Sequence, residues 1–329
     1  MRLPRFEYVK PASLEEGLAI LQEFGKDAGI LAGGTDLLVN MKYGVVRPEK
    51  VVSIRTIPEL CSISEDGRQN LRIGACVPLS ALAENALISE KFPALRDAIK
   101  SVASRHIRNM ATLGGNICLA TRCWYYNQSK LWRDARKPCH RAGGSVCYAI
   151  SGSKRCLAIN NSDTTPALMA LNAQIVALKK GHERVIPIAD FFRDDGMCHT
   201  VLEPEEIVTA ILVPEIDPAF RTVFIKTCSR RGIDFAIGDI AAALSGTRKK
   251  VTAARIIIGS ISSAPVSMGK AAGMIMESGL TDKSIEAAAE AARSELGPLT
   301  NIFTPAGYKR DLVRALVKRA LVDIKKKLR

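Results

Sequence analysis

The sequence predicts an α+β protein: a first region of short strands and helices, then a C-terminal α+β domain covering about the last third of the chain. Two observations carry this prediction. The first is a pair of glycine-rich loops, Gly33-Gly34 and Gly114-Gly115, set among short apolar strands and amphipathic helices. The second is a change of character from Arg221, where FIKTCSRRGIDFAIGDIAAAL and the strand RIIIGSI (Arg255–Ile261) precede two long helices rich in Ala, Lys and Arg, near 282–295 and 306–328.

In order, Ser13 and Glu16 stand in capping-box register before LEEGLAILQEF, whose helical spacing stops at Gly25. A short strand, Gly29 to Ala32, runs into Gly33, Gly34, Thr35 and Asp36, and then into the apolar run LLVNM. A strand, two glycines, a small hydroxyl and an acid make a tight turn able to bring backbone N–H groups up to a phosphate. Val51–Ile54 and Leu71–Ile73 read as strands, and Leu79–Ala86 and Pro93–Ser104 as helices. The segment IRNMATLGGNI then forms a second loop with Thr112, Gly114, Gly115 and Asn116. One such loop is as readily an ordinary turn. Two flanking one core are harder to dismiss. Further on, Asn161 to Pro166 signal a helix over Ala167–Leu171, followed by a strand at Gln174–Leu178. A strand and loop are expected over His182–Phe192, and another strand within Glu205–Val213 before Pro214.

Between the second loop and that helix, five of the nine cysteines fall from Cys118 to Cys156. Cys123, Cys139, Cys147 and Cys156 read as ligands of one metal centre. No C-x2-C pair is present, so the spacing is unlike a zinc ribbon or finger, and an iron–sulfur cluster tolerates it better. Eight Lys or Arg (Arg122, Lys130, Arg133, Arg136, Lys137, Arg141, Lys154, Arg155) stand here against Asp134 alone, and such cations favour thiolates. Trp124, Tyr125, Tyr126, Trp132 and Tyr148 are placed to cover the site. A zinc staple, or a basic loop with scattered thiols, remains an alternative. Cys118 is expected to be a packed thiol near the second loop, and Cys61, Cys76, Cys198 and Cys228 core residues. Of the four histidines only His140 adjoins this chemistry.

With 47% hydrophobic and 24% charged residues in 329, the chain can bury a proper core, in two or three domains. It opens MRLPRFEYVK, without the apolar core of a signal peptide, and nine is an odd number for a disulfide framework, so a reducing, cytoplasmic compartment is expected. No apolar run approaches the roughly 20 residues of a membrane helix. A formal charge of +14 raises nucleic-acid binding as a rival. Base-readout motifs are missing, and an acidic protein partner or an anionic cofactor explains the charge as well.

The motifs together resemble the FAD-binding medium subunits of the molybdenum hydroxylases, the family of xanthine dehydrogenase and carbon monoxide dehydrogenase. Carrying the resemblance, in order, are F-x-Y-x-x-P-x-S-L-x-E-x-L from Phe6, the loop Ala32 to Leu37, the loop Ala111 to Asn116, and Ser162-Asp163. Glu206-Ile207-Val208, Lys226-x-x-x-Arg230 and Tyr308-Lys309-Arg310 complete it. The resemblance implies a two-part FAD-binding domain of the vanillyl-alcohol-oxidase/PCMH type, with subdomains at 1–57 and 58–218, and a C-terminal α+β domain at 219–329.

Most of that family has only a few residues between the second loop and Ser-Asp. Here an insertion at about 118–160 holds the four cysteines, which resembles the β subunit of 4-hydroxybenzoyl-CoA reductase and implies an added [4Fe–4S] cluster. Ala32, Gly33, Gly34, Thr35, Asp36 and Leu37, with Thr112, Gly114, Gly115 and Asn116, would grip the FAD pyrophosphate and ribityl chain. Ser162 and Asp163 would meet sugar hydroxyls, Ile207 and Val208 would pack near the flavin, and Lys226 would stabilise its reduced form. No catalytic residue is expected. The implied partners are a molybdenum-cofactor large subunit, a [2Fe–2S] small subunit and a ferredoxin-like donor, in a dimer of heterotrimers without nucleic acid or membrane. Electrons would pass from donor through cluster and FAD towards molybdenum, for reductive dehydroxylation of an aromatic CoA thioester. Outward flow from substrate is the alternative.

Overall fold

A computed structural model describes residues 2–65, 70–215, 217–230, 232–297 and 304–328. The N-terminal part comprises β1 (Glu7–Val9), α1 (Leu14–Phe24), β2 (Ala28–Leu31), α2 (Leu37–Lys42) and β3 (Lys50–Ser53), its strands parallel in the order β1-β3-β2. Ser13 Oγ accepts the Glu16 N–H at 3.2 Å, while the Glu16 carboxylate reaches back to the Ala12 N–H at 2.6 Å, one residue before the expected partner. Gly25 ends α1 at φ +48°, where a side chain would be strained. The apolar face of α1, Leu18 and Leu21, packs with Val52, Ile54, Ile57 and Leu60.

The middle part begins with β4 (Ile63–Glu65) and β5 (Leu71–Gly74). A run of helices follows: α3 (Leu79–Glu84), α4 (Ala86–Lys91), α5 (Pro93–Ser101), α6 (Arg105–Met110), α7 (Leu113–Ile117), α8 (Lys130–Asp134) and α9 (Thr164–Ala170). Then come β6 (Gln174–Lys179), β7 (His182–Pro187), α10 (Ile188–Phe191) and β8 (Ile207–Val213). The five strands pair antiparallel in the order β4-β5-β8-β6-β7. Being central, β8 is buried at every position, IVTAILV.

Several expectations shift. The single helix expected over 79–86 ends at Asn85, whose side chain accepts the Ile88 N–H at 3.1 Å and starts α4. The helix expected to reach Ser104 stops at Ser101, because Ala103 takes φ +42° and Ser104 caps α6. The second glycine stretch is less a loop than the first turn of α7. Residues 188–191 form a helical turn where a loop was expected.

The C-terminal part is an antiparallel sheet of β9 (Arg221–Thr227), β10 (Gly238–Gly246), β11 (Val251–Gly259) and β12 (Val266–Ser267), in the order β12-β11-β10-β9. It is backed by α11 (Gly269–Ser278), α12 (Asp282–Glu295) and α13 (Ala306–Lys327), of which α11 went unforeseen. The strand expected to reach Ile261 stops at Gly259, since Ser260 adopts φ +61°. Alternation divides β10 cleanly. Ile240, Ala242 and Leu244 face the helices α11–α13, while Ala241 and Ala243, with Phe224 and Ile257, join the core of the middle part. The C-terminal sheet therefore shares a core with α5 and α9. No described helix is long and apolar enough to cross a membrane.

Leu95 of α5 is completely buried in that middle core. Leu95→Ala should cost about 2–5 kcal/mol, read from urea unfolding followed by circular dichroism. A loss below about 1 kcal/mol would contradict the tight packing described.

Candidate functional site

Two loops meet at one seam. A Cβ on Gly33 would lie 2.0 Å from the Met110 carbonyl oxygen and 2.9 Å from Ala111 Cα, so only glycine lets these backbones touch. Gly34 takes φ +73°, turning the chain into α2, whose N-cap is Asp36. On the other side, Thr112 Oγ1 accepts the Gly115 N–H at 3.1 Å and caps α7. A Cβ on Gly114 would stand 2.6 Å from Ala75 Cβ, and the Gly114 N–H donates to the Ala75 carbonyl at 2.9 Å.

Asn116 ties this turn to the next predicted pair. Its Oδ1 accepts from Ser162 Oγ (2.9 Å), Thr164 Oγ1 (2.7 Å) and the Thr164 N–H (3.3 Å). Asp163, between them, is 4% exposed, and its Oδ2 accepts from Lys226 Nζ at 2.8 Å. Asp163 Oδ1 is buried without a hydrogen-bond partner among the described residues. Burial pushes the Asp163 carboxyl up to about 6, against the pull of Lys226. Lys226 also donates to the Ser101 carbonyl at 3.1 Å. The predicted sugar acceptor and the predicted flavin cation are thus one ion pair. Ile207 lies in the N-terminal core with Leu18 and Leu21, and Val208 in the middle core; the structure gives both a packing role.

The segment from 118 to 160 places the four predicted ligands around one cavity. Cys123, Cys139, Cys147 and Cys156 all line one small open cavity, with Tyr125, Tyr126, Tyr148, His140 and Arg141. The Cys139 carbonyl accepts from Ala142 and Gly144 N–H, both at 2.8 Å, in a tight turn, and Arg122 and Ile159 pair across the base of the insertion. His140 Nε2 is held by the Ser153 carbonyl at 2.8 Å. Burial pushes the Cys123 thiol up to about 11, so a bound metal would have to displace its proton. Among the described residues no group of three or more His, Cys, Asp or Glu is arranged to hold a metal ion, and the four cysteines of the cavity are no exception.

Of the expected aromatic cover, three tyrosines line the cavity, Trp124 is half exposed, and Trp132 stacks on Arg136 at 4.1 Å. Cys118 packs against the middle core, its thiol pushed up to about 12 by burial. Cys76 is buried as expected, but Cys61 and Cys198 are exposed and Cys228 is half-buried, because short loops rather than the sheets carry them. All nine cysteines are free.

Sequence reasoning missed what joins the two sites. Arg122, next to Cys123, forms an ion pair with Asp36 of the first loop, and its guanidinium sits 5.1 Å from the Phe235 ring. Asn127 accepts the Cys123 N–H at 2.8 Å and donates to Asn40 of α2 at 3.3 Å. Arg133 donates to the carbonyls of Tyr43 (3.3 Å) and Gly44 (2.8 Å) at the end of α2. The insertion therefore grasps the helix that the first loop begins. Gly196 was also missed: a Cβ there would lie 2.7 Å from Cys156 Sγ. His199 Nε2 is sealed from solvent, and burial together with Arg141 holds its imidazole below the usual range. Neither lies in a motif.

Residues 4–216 match the family profile described as FAD binding domain in molybdopterin dehydrogenase, and residues 224–324 the CO dehydrogenase flavoprotein C-terminal domain. The carbon monoxide dehydrogenase medium chain of Hydrogenophaga pseudoflava is 28% identical over 97% of this chain and 96% of that one. The aldehyde oxidoreductase FAD-binding subunit PaoB of Escherichia coli (strain K12) is 30% identical over 65% of this chain and 70% of that one. A solved carbon monoxide dehydrogenase from H. pseudoflava superposes with a TM-score of 0.84 at 26% identity, covering both chains fully.

The close approaches at Gly33 and Gly114 predict that Gly33→Ala and Gly114→Val each weaken FAD binding by about tenfold or more, about 1.4 kcal/mol. Flavin retained per chain after gel filtration measures it, with circular dichroism as the control for folding. Wild-type retention in both variants would remove the loops from the site.

Proposed function

The chain belongs to the FAD-binding medium subunits of the molybdenum hydroxylase family, and we propose that it works as a two-centre electron-transfer subunit. A medium subunit of this family partners a molybdenum-binding large subunit and an iron–sulfur small subunit. FAD fits the residues present: two glycine contacts admit backbone to the phosphates, and Asp163 Oδ1 is a buried acceptor awaiting a donor such as a ribityl or ribose hydroxyl. Bound there, FAD supplies the switch between two-electron and one-electron transfer. The protein would hold it at Ala32 to Leu37, Thr112 to Asn116 and Ser162-Asp163, with Lys226 paired to Asp163.

The second proposed centre is a [4Fe–4S] cluster on Cys123, Cys139, Cys147 and Cys156. One observation carries it: four thiols from separate turns converge on one aromatic-walled cavity. Thiolates of such a cluster each bind a different iron and stand farther apart than the ligands of one ion. The four cysteines lining one cavity support this reading, although among the described residues they are not drawn into a metal-binding group. Arg141 on the cavity wall adds positive charge. Such an insertion supports a role like that of the β subunit of 4-hydroxybenzoyl-CoA reductase, in the cytoplasm of an anaerobically metabolising cell. A low-potential, ferredoxin-like donor would deliver electrons at the cluster for reductive dehydroxylation of an aromatic CoA thioester, within a dimer of heterotrimers. A second reading, with electrons running outward from a substrate, draws support from relatives named as dehydrogenases. The family membership favours the flavoprotein reading over the nucleic-acid rival.

Anaerobic purification should yield about four irons, matching sulfide and one FAD per chain. Cys139→Ser should lose most of the iron yet keep FAD; a full cluster in that variant would remove Cys139 from the ligand set. Zinc without flavin would overturn the whole reading. Electron input from a reduced ferredoxin should slow several-fold between low and physiological salt, as the insertion's cations are screened. A rate indifferent to salt would place the donor elsewhere.

A further inference from the structure

Two acids and one base are shut inside the seam between α9 and the C-terminal sheet. Lys226 of β9 and Asp239 of β10 stand directly opposite each other in the ladder, and Lys226 Nζ reaches Asp163 Oδ2 at 2.8 Å. Asp239 is fully buried. Its Oδ2 accepts from Ser260 Oγ at 2.7 Å, while Oδ1 has no hydrogen-bond partner among the described residues. Gly259 crowds the same carboxyl: a Cβ there would lie 2.3 Å from Oδ1. The charged groups that face Asp239 are Asp163 and Lys226, joined by the Ser260 hydroxyl and the Gly259 backbone. Lys226 is already committed to Asp163 and the Ser101 carbonyl.

One ammonium therefore serves two buried carboxyls. Were both acids ionised, one buried negative charge would stand uncompensated, an arrangement proteins avoid by neutralising the group. Burial and the neighbouring Asp163 both act in that direction, pushing Asp239 up to about 8.

We propose that Asp239 is a buried acid that stays protonated at neutral pH, keeps the Asp163–Lys226 site electrically neutral, and loses its proton in competition with electron uptake by the flavin beside Asp163. The proposal rests on the seating of FAD at Asp163. The step is simple in atoms and charge: the O–H bond of the Asp239 carboxyl breaks or forms, its proton exchanges with water, and the electrons come from the redox partner. Ionised Asp239 leaves a net negative charge that opposes added electrons, and added electrons raise the proton affinity of Asp239 by the same free energy. Asp239 is thus a positioning residue for charge, acting through Lys226 and Asp163.

The test is a redox titration of the full chain reconstituted with FAD, from about pH 6 to about pH 10. Above pH about 8 the two-electron equilibrium should shift an extra tenfold per pH unit, about 30 mV, and Asp239→Asn should abolish that extra slope. Equal slopes in the two proteins overturn the proposal. A second measurement needs no flavin: the infrared carbonyl stretch of a protonated carboxyl should be present at neutral pH and vanish in Asp239→Asn. If the band is absent from the wild type, or survives in the variant, the assignment fails whether or not FAD binds. Failure to bind FAD with the band intact sinks only the cofactor reading.

Stability gives a third check. Because the folded protein holds the Asp239 proton more tightly than the unfolded chain, its contribution is lost as pH rises from the unfolded carboxylate range towards about 8. Asp239→Asn, or Asp239→Ser should the amide not be accommodated, must therefore gain in denaturation midpoint relative to wild type between about pH 5 and pH 9. A constant difference across that range counts against the proposal.

Discussion

The contact on which the rest of this structure depends is the approach of the Gly33 backbone to the Met110 carbonyl, closer than any side chain would allow. It brings the turn after β2, in the parallel N-terminal sheet, against the residues just before α7, in the middle part. Each side needs its own local solution for this approach to work. Gly34 supplies the left-handed turn, and the Thr112 hydroxyl satisfies an amide that the start of α7 would otherwise leave without a partner. The result is a seam where backbone stands against backbone at Gly33 and Gly114, leaving no room there for a side chain.

Everything downstream is hung on that seam. Asn116 reaches out of α7 to hold Ser162 and Thr164, which fixes Asp163 at the start of α9. The helix α9 can press against β10 and β11 because β10 offers alanine on that side, Ala241 and Ala243, where larger residues would hold the sheet away. This intimacy sets Lys226 against Asp163 and leaves Asp239 beside them. Such a cluster is electrically demanding. A buried ion pair contributes little net stability once desolvation is counted.

The segment from 118 to 160 is tied to its surroundings at several points, among them Cys118 in the middle core and Thr121, whose hydroxyl donates to the Gly196 carbonyl at 2.5 Å. Its own cations are used inward as much as outward: Arg136 stacks among Tyr125, Trp132 and Tyr148, and Arg141 lies over Tyr126 while donating to Thr121. These contacts brace a segment with only one short α-helix of its own. Arg122 and Arg133 then fasten it to both ends of α2. One helix so links the four-cysteine cavity to the first glycine loop.

Local chemistry was legible in the sequence. The cap at Ser13, the stop at Gly25, the glycine pairs and the helices over 282–295 and 306–328 are all set by neighbours within a few residues or by residue type, which is what a sequence displays directly. The folded chain alone decided which distant groups would meet. The partnership of Arg122 with Asp36 spans 86 positions and that of Lys226 with Asp163 spans 63. The two-sided burial of β10 shut Asp239 in with a single lysine. Whether a charge is solvated or buried depends on packing between elements far apart in the chain, and no local pattern encodes it.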